Sequence, residues 1–377
     1  MPRGSPVVYN RASVYDVIKH YDVKEDIGFG GYAVVKKGLD KRTGELVAIK
    51  IVDKTKYDPG DDRLQHEIEV LMKIDHPRCI RLYDVFIAHQ KVFIVTEYVT
   101  GGEVLERLQK HGPYSERAAS TIIRHVIEGV AYLHENGVVH RDLKLENLLM
   151  VNERLDSDVK IADFGLSKYF GMDESVLATV CGSPEYVAPE VLGVEETSEN
   201  YGSAVDMWSV GVVLFAMMCC YTPFYDENQS KMYKNIMDGH WNRRDPNWMR
   251  LSLPLKNLID KLLLVDPSAR LSAKEALAHP WVQGICFPKN APMEATHPYA
   301  DIVHQQLEEE EEEIFEDCLE EVVDEAPPQE TEMAPEEQMA VDQSPDRRQP
   351  ATHQVVPNGY SVRRRFMNPT RGSSTIW

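Results

Sequence analysis

The 377-residue sequence contains no run of 18 apolar residues, and its first ten residues, MPRGSPVVYN, lack the apolar stretch of a signal peptide. Its six cysteines are scattered along the chain, and none belongs to a C-x-x-C pair. Such cysteine usage predicts neither a disulfide framework nor a zinc site. These absences argue against secretion and against a membrane span, and they favour the cytosol or the nucleus as the compartment.

Positive charge is also scarce. The chain has 41 Lys and Arg residues against 61 Asp and Glu residues, which gives a net charge of -20. From residue 301 onward, 19 acidic residues stand against 6 basic ones, so this segment carries -13 of that charge. Because negative charge repels a phosphate backbone, we expect no binding to nucleic acid.

Changes in composition divide the chain into regions. Residues 1–20 are predicted to be a short N-terminal extension. Residues 21–100 are rich in β-branched residues with one helical interruption, and residues 101–282 show mainly helical periodicity, as in ERAASTIIRHVIEGVAYLHENG. Residues 283–377 are acidic and poor in apolar residues, which predicts a largely disordered C-terminal tail because little apolar surface could be buried.

A glycine-rich stretch near the start, IGFGGYAVV, fits two different phosphate-binding sites. The letters G-F-G-G-Y-A from Gly28 to Ala33 match the dinucleotide-binding fingerprint G-x-G-x-x-G/A, and Asp53 follows at about the distance that this fingerprint requires. The same letters match a loop that covers ATP phosphates, G-x-G-x-x-G-x-V, with Ala33 in the place of the third glycine.

The residues after this loop decide between the two sites. A dinucleotide site needs a helix directly after the last glycine, so that the helix N-terminus faces the pyrophosphate. The sequence instead continues with Val34 and Val35, a polar turn LDKRTGE, and the apolar run LVAIKIV. This pattern predicts a β-hairpin, so the loop is interpreted as a cover for ATP phosphates.

One lysine and one glutamate are predicted to meet. Lys50 lies within the apolar strand VAIK, where an unpaired ammonium would be costly to desolvate. Glu67 lies on the apolar face of the predicted helix DDRLQHEIEVLMKI, between Leu64 and Leu71. An ion pair between Lys50 and Glu67 would explain both unusual positions.

Six motifs then occur in order: VAIK, HRDLKLEN (His140 to Asn147), DFG (Asp163 to Gly165), APE, DMWSVG and DPSAR. With these motifs, the chain resembles a eukaryotic protein kinase over residues 21–282. The resemblance implies an α+β, two-lobed protein kinase fold. Its small antiparallel β lobe (21–100) would carry one regulatory helix, and its large lobe (101–282) would be mainly helical.

The resemblance also implies a role for each motif residue in phosphoryl transfer from ATP. Asp142 would orient the substrate hydroxyl and take its proton, and Lys144 would contact the γ-phosphate. Asn147 and Asp163 would bind Mg²⁺, while Lys50, held by Glu67, would bind the α- and β-phosphates. The residues implied to contact the nucleotide are Ile27, Gly28, Phe29, Gly30, Gly31, Tyr32, Ala33, Val34, Val35, Ala48, Lys50, Glu97, Val99, Glu103, Leu149 and Asp163, with Thr96 at the entrance to a rear pocket.

The residues within the motifs indicate the class of protein substrate. Lys144 within HRDLKLEN resembles the serine/threonine branch, and TGGE, DFGLSK and TVCGSPEYVAPEVL most resemble the calcium/calmodulin-dependent kinases, type I in particular. In such kinases, acidic residues at the positions of Glu103 and Glu146 bind arginine upstream of the phosphorylated hydroxyl. An arginine three residues before Ser or Thr is therefore expected in substrates; alternatively, Glu103 binds only the ribose.

The resemblance implies an activating phosphorylation at Thr179, made by an upstream kinase or by autophosphorylation, with Arg141 binding the phosphate. It also implies a buried Glu190–Arg270 ion pair. The residues after Trp281 are not a basic amphipathic helix, and the chain has no EF-hand loop, so direct control by calcium or calmodulin is not expected. A monomer is expected.

The principal rival function is a pseudokinase scaffold that acts through the acidic tail. A pseudokinase would lack at least one of Lys50, Asp142, Asn147 and Asp163. All four are present, which favours catalysis.

Overall fold

The computed structural model describes residues 5–29, 33–57, 62–154, 157–169, 184–193 and 202–287. Gly30, Gly31 and Tyr32 of the predicted ATP loop, the predicted phosphorylation site Thr179, and residues 288–377 of the predicted tail lie outside this part of the chain.

The described residues form ten strands and ten α-helices. The strands are β1 (Val7–Asn10), β2 (Tyr21–Phe29), β3 (Ala33–Asp40), β4 (Leu46–Asp53), β5 (Leu82–Ile87), β6 (Lys91–Glu97), β7 (Val138–Val139), β8 (Leu148–Met150), β9 (Val159–Ile161) and β10 (Lys168–Tyr169). The helices are α1 (Val14–His20), α2 (Arg63–Lys73), α3 (Val104–His111), α4 (Glu116–Glu135), α5 (Pro189–Leu192), α6 (Ala204–Cys219), α7 (Gln229–Met237), α8 (Pro246–Met249), α9 (Leu253–Leu262) and α10 (Ala273–Leu277).

The small lobe is a six-stranded sheet in the order β1-β5-β6-β4-β3-β2. β2 to β6 pair antiparallel, and the hairpin predicted after the glycine-rich loop is the β3–β4 pair. β1 comes from the extension predicted ahead of the domain, and it pairs parallel to β5 at the edge of the sheet. α2 packs against β5, which places Glu67 over the sheet beside Lys50.

The large lobe is built around α6. Fifteen of its sixteen residues are buried, as expected of a helix that is apolar all round and lies within a core. α4, α8 and α9 pack against it. Together the lobes confirm the predicted protein kinase fold, with a β-sheet N-terminal lobe and a helical C-terminal lobe.

Two short connections hold the site where the lobes meet. The chain passes from β6 to α3 through residues 98–103, where the Gly101 N–H donates to the Met150 carbonyl at 3.1 Å and the Met150 N–H donates to the Gly102 carbonyl at 2.9 Å. The β8–β9 hairpin is thereby tied to this segment, and it ends just before Asp163. Over the described ranges, no helix is long and apolar enough to cross a membrane.

Candidate active site

The predicted ion pair between Lys50 and Glu67 is present, and it joins β4 to α2 within the small lobe. The Lys50 Nζ lies 2.7 Å from Glu67 Oε1 and 3.2 Å from Asp163 Oδ1, so a single ammonium joins β4, α2 and the DFG segment. The pairing follows from the fold, because β4 turns the Lys50 side chain towards the face of the sheet that α2 covers. Lys50 is thereby held at the junction of the two lobes.

The charges of this trio depend on each other. Burial opposes the charge on Lys50, but Asp163 and Glu67 outweigh burial and raise its pKa. Burial would raise the pKa of Asp163, but Lys50 outweighs it and lowers that pKa. Burial, with a smaller contribution from the negative charge of Asp163, raises the pKa of Glu67 despite the opposing effect of Lys50, so one ammonium does not offset both carboxylates. A polyphosphate would therefore need a further cation here, as MgATP provides.

The loop between β7 and β8 brings the next three predicted residues together. Lys144 Nζ donates to Asp142 Oδ2 at 2.9 Å, and Asn147 Nδ2 donates to the Asp142 carbonyl at 2.7 Å and to its Oδ2 at 3.0 Å. Burial would lower the pKa of Lys144, but Asp142 outweighs it and raises that pKa. Asp142 is thus an acceptor held in place from two sides.

The side-chain oxygen of Asn147 is suited to bind magnesium. Its Nδ2 donates two hydrogen bonds to Asp142, whereas its buried Oδ1 accepts no hydrogen bond from the residues that the structure describes. A buried amide oxygen without a donor is unfavourable, and a bound cation would satisfy it. Oxygen ligands from Asn147 and the Asp163 carboxylate suit Mg²⁺.

A residue without a predicted role, Asp206, holds the backbone of this loop. Its carboxylate accepts from the N–H of His140 at 2.9 Å and of Arg141 at 2.8 Å, and it lies 2.8 Å from His134 Nε2. Burial would raise the pKa of Asp206, but these partners outweigh burial and lower it. The signal in the sequence was the acidic residue in the otherwise apolar helix AVDMWSVGVVLFAMMC.

Two site residues adopt the left-handed backbone conformation that favours glycine. Arg141 has φ 68° and Asp163 has φ 59°. Non-glycine residues persist there only when the surroundings impose the conformation, and such residues are concentrated at functional sites. For Arg141 the imposing contact is the hydrogen bond from its N–H to Asp206 Oδ1.

An apolar cavity lies beside Lys50. Its walls include the predicted residues Ile27, Val35, Ala48, Thr96 and Leu149, together with Glu97, Val99 and Asp163. Five described residues of the predicted set do not line this cavity. Four belong to the glycine-rich hairpin, where Gly28 is buried, Phe29 is 54% exposed, and Ala33 and Val34 are partly buried; the fifth, Glu103, precedes α3.

Further cavity-lining residues were not predicted: Leu71, Ile80, Ile94, Tyr98, Ala162 and Phe164. Strand pairing could have identified one of them, because Ile94 is the register partner of Lys50 in the β4–β6 pair. The cavity lining is mainly apolar, and Lys50, Glu67 and Asp163 add fixed charges to it. This is the distribution that a nucleotide base followed by phosphates requires.

Two acidic residues lie at or near the catalytic loop: Glu103, which is buried, and Glu146, which is half-buried. Glu103 is 4% exposed, and its Oε1 and Glu146 Oε2 have no hydrogen-bond partner within the described ranges. Burial, with smaller contributions from Glu106 and Glu146, raises the pKa of Glu103 to about 8, and burial also raises the pKa of Glu146. Two unpaired carboxyl oxygens in one region are suited to a cationic ligand.

Comparison with known proteins agrees with this geometry. The protein kinase domain family matches residues 21–282, which include both lobes. The calcium/calmodulin-dependent protein kinase type 1 of Caenorhabditis elegans is 42% identical over 265 residues, covering 70% of this chain and 74% of that protein. Myosin light chain kinase A of Dictyostelium discoideum is 39% identical over 269 residues, or 71% of this chain and 90% of the relative. The calcium/calmodulin-dependent protein kinase type IV of Rattus norvegicus is 41% identical over 266 residues, or 70% of this chain and 54% of the relative.

Proposed function

The chain belongs to the protein kinase domain family, and from that premise we propose that it transfers the γ-phosphoryl group of MgATP to serine and threonine hydroxyls in basic protein segments. It is a protein serine/threonine kinase most like the calcium/calmodulin-dependent kinase group. The observation that carries the proposal is that two clusters lie on directly bonded segments, because the N–H of Ala162, the residue before Asp163, donates to the Asn147 carbonyl at 2.9 Å. Lys50, Glu67 and Asp163 form the first cluster, and Asp142, Lys144 and Asn147 form the second.

Each cluster has a distinct task in the proposed reaction. Lys50, kept charged and fixed by Glu67, binds phosphate oxygens, and Asn147 Oδ1 with the Asp163 carboxylate would hold Mg²⁺. When bound, Mg²⁺ supplies positive charge to the phosphates. Asp142 orients the attacking hydroxyl and accepts its proton, while the Lys144 ammonium, 2.9 Å from Asp142, stabilises negative charge on the transferred group.

A transfer assay tests this function. The full chain is incubated with labelled ATP, Mg²⁺ and a basic peptide that contains one serine, and the same peptide with tyrosine in its place is the matched control. Label in the serine peptide, none in the tyrosine peptide, and loss of transfer with EDTA are expected. Absence of transfer to serine by a chain phosphorylated on Thr179 would favour the scaffold function instead.

For the substrate, the unpaired carboxyl oxygens of Glu103 and Glu146 support recognition of arginine upstream of the phosphorylated residue. A guanidinium binds a carboxylate best when the carboxylate is charged, and a pKa of about 8 leaves Glu103 largely protonated at pH 7. Binding of arginine must therefore displace a proton. Raising the pH towards and above 8 removes this cost.

The expected result is a KM for an arginine-containing peptide that falls by up to about tenfold between pH 6.5 and pH 8.5. A peptide with alanine at the same position should show no comparable fall, and Glu103→Gln should remove the difference between the two peptides. If the arginine preference is unchanged in Glu103→Gln at both pH values, Glu103 serves the ribose or another group.

Phosphorylation of Thr179 is proposed as the activating step, made by an upstream kinase or by autophosphorylation. Support comes from the placement of Thr179 between the DFG and APE motifs, and from Arg141, which Asp206 orients at the catalytic loop. Two of the relatives are named as calcium/calmodulin-dependent. In this chain, the residues after Trp281 are not a basic amphipathic segment, so we do not expect direct control by calcium or calmodulin.

We expect Thr179→Ala to lower kcat/KM by at least about tenfold, the scale of one lost charge-assisted interaction. Steady-state kinetics of both proteins, with mass spectrometry to establish the phosphorylation state, measure the effect. Ser175→Ala, in the same segment between the DFG and APE motifs, is the matched control and should retain activity. Equal activity of the wild type in its phosphorylated and fully dephosphorylated states would contradict the switch.

A further inference from the structure

The residues before the kinase domain are built into the small lobe. We call Val7–His20, which includes β1 and α1, the N-terminal clamp. β1 lies parallel to β5 with Val7, Val8, Tyr9 and Asn10 opposite Asp84, Val85, Phe86 and Ile87. The Ala12 N–H continues the contact by donating to the Ile87 carbonyl at 2.9 Å. β5 is therefore paired on both edges, by β6 and by the clamp.

On the outer face of the sheet, the clamp packs on Phe86. The rings of Tyr9 and Phe86 are stacked, with centroids 4.4 Å apart and planes 5° apart, and His20 lies 5.7 Å from the same ring. α1 begins with a capping box at Ser13 and buries Val17 in this cluster. The cluster fixes α1 to the sheet.

A second contact holds Asp84 in the middle of β5. Tyr21, which directly follows the clamp, donates its hydroxyl hydrogen to Asp84, and Arg42 Nη2 donates to Asp84 at 2.9 Å. Tyr21 and Asp84 are both almost fully buried. The clamp and Tyr21 thus hold β5 both along its edge and through the Asp84 side chain.

On the inner face, β5 contacts the helix that carries Glu67. Alternation along the strand places Val85 on the side opposite Phe86, where it belongs to one cluster with Ile68, Val70 and Leu71 of α2. Val8, the register partner of Val85, packs against that same cluster. Ile68 directly follows Glu67, so a shift of β5 relative to the sheet would move the carboxylate that holds Lys50.

We propose that the N-terminal clamp positions α2 through β5, with Val8 and Tyr9 as positioning residues for the Lys50–Glu67 pair. The clamp acts on both faces of one strand, whereas α2 contacts only the inner face. Its catalytic consequence rests on the proposed role of Lys50 in ATP binding. Its structural consequence, a fixed α2, does not depend on that role.

The test compares Tyr9→Ala with Tyr9→Phe and with Tyr15→Ala in the full chain. Tyr9→Phe keeps the stacked ring, and Tyr15 is the matched control because it lies on α1 with 76% of its surface exposed. In Tyr9→Ala, we expect faster hydrogen exchange of the α2 amides with unchanged exchange in α9. We also expect a KM for ATP about three- to tenfold higher with an unchanged KM for peptide. Tyr9→Phe and Tyr15→Ala should behave as the wild type.

Three results would overturn the proposal: unchanged exchange in α2, equal acceleration in α2 and α9, or the same effect in Tyr15→Ala. If Tyr9→Ala does not fold, Val8→Ala provides the same comparison with a smaller loss of contact. An inactive wild-type chain would contradict the proposed function, but exchange in α2 would still decide whether the clamp positions that helix.

Discussion

Asp142→Asn is expected to lower kcat for peptide phosphorylation by about 10²–10⁴-fold, the usual contribution of a positioned general base. The amide keeps the size of the carboxylate and can still accept a hydrogen bond from Lys144, but it cannot take up a proton at neutral pH. The loss should therefore appear in kcat, measured with saturating ATP and peptide by label transfer.

Binding of ATP separates this effect from a structural one. Among the residues that the structure describes, Asp142 makes no hydrogen bond or ion pair with Lys50, Glu67 or Asp163, so the affinity for MgATP, measured by calorimetry, should change by less than about threefold. Asp238→Asn, at an exposed position of the large lobe, is the matched control and should retain wild-type kinetics. A kcat within a few-fold of the wild type in Asp142→Asn would show that another group takes the proton.

The sequence predicted the central ion pair because the cost of burying a charge leaves few solutions. A lysine inside an apolar strand and a glutamate on an apolar helix face each require a partner, and they meet at 2.7 Å. The hairpin after the glycine-rich loop was predictable for a similar reason, since β-branched residues flank a polar turn. These predictions depend on local pattern and desolvation alone.

The N-terminal clamp could not be predicted in this way. β1 has only four residues, and its partner β5 begins about 75 positions later, so no local pattern specifies their pairing. Asp206 presents the same difficulty. Its burial was readable from the apolar helix around it, but its acceptance of the N–H groups of His140 and Arg141 depends on how α6 packs beneath the catalytic loop.

Glu103 shows a further limit. The resemblance assigned it either to arginine or to ribose, and neither the motif nor its neighbours in sequence decide between them. Its raised pKa arises chiefly from burial and then from Glu106 and Glu146, one of which is 43 residues away in sequence. The charge state of such a group is a property of the folded cleft, so a measurement over pH is required to assign its ligand.

Arg270→Leu is expected to destabilise the large lobe by about 3–5 kcal/mol, the cost of leaving one member of a buried ion pair without its partner. The Arg270 guanidinium donates to both carboxylate oxygens of Glu190, at 2.7 and 2.9 Å, and to the carbonyls of Ala204, Leu264 and Val265. Removing it leaves five acceptors without this donor. Thermal unfolding should show a Tm lower by roughly 10 °C.

A second ion pair in the same lobe provides the control. Arg243 and Asp260 are as close, at 2.5 Å, but their side chains are 52% and 40% exposed, whereas those of Arg270 and Glu190 are 0% and 16% exposed. Water can solvate Asp260 after Arg243→Leu, so that change should cost less than about 1 kcal/mol. Glu190 has little access to water, and the double change Arg270→Leu with Glu190→Leu should therefore recover part of the stability lost in Arg270→Leu. Equal losses for Arg270→Leu and Arg243→Leu would show that neither burial nor the additional carbonyl acceptors of Arg270 set the cost.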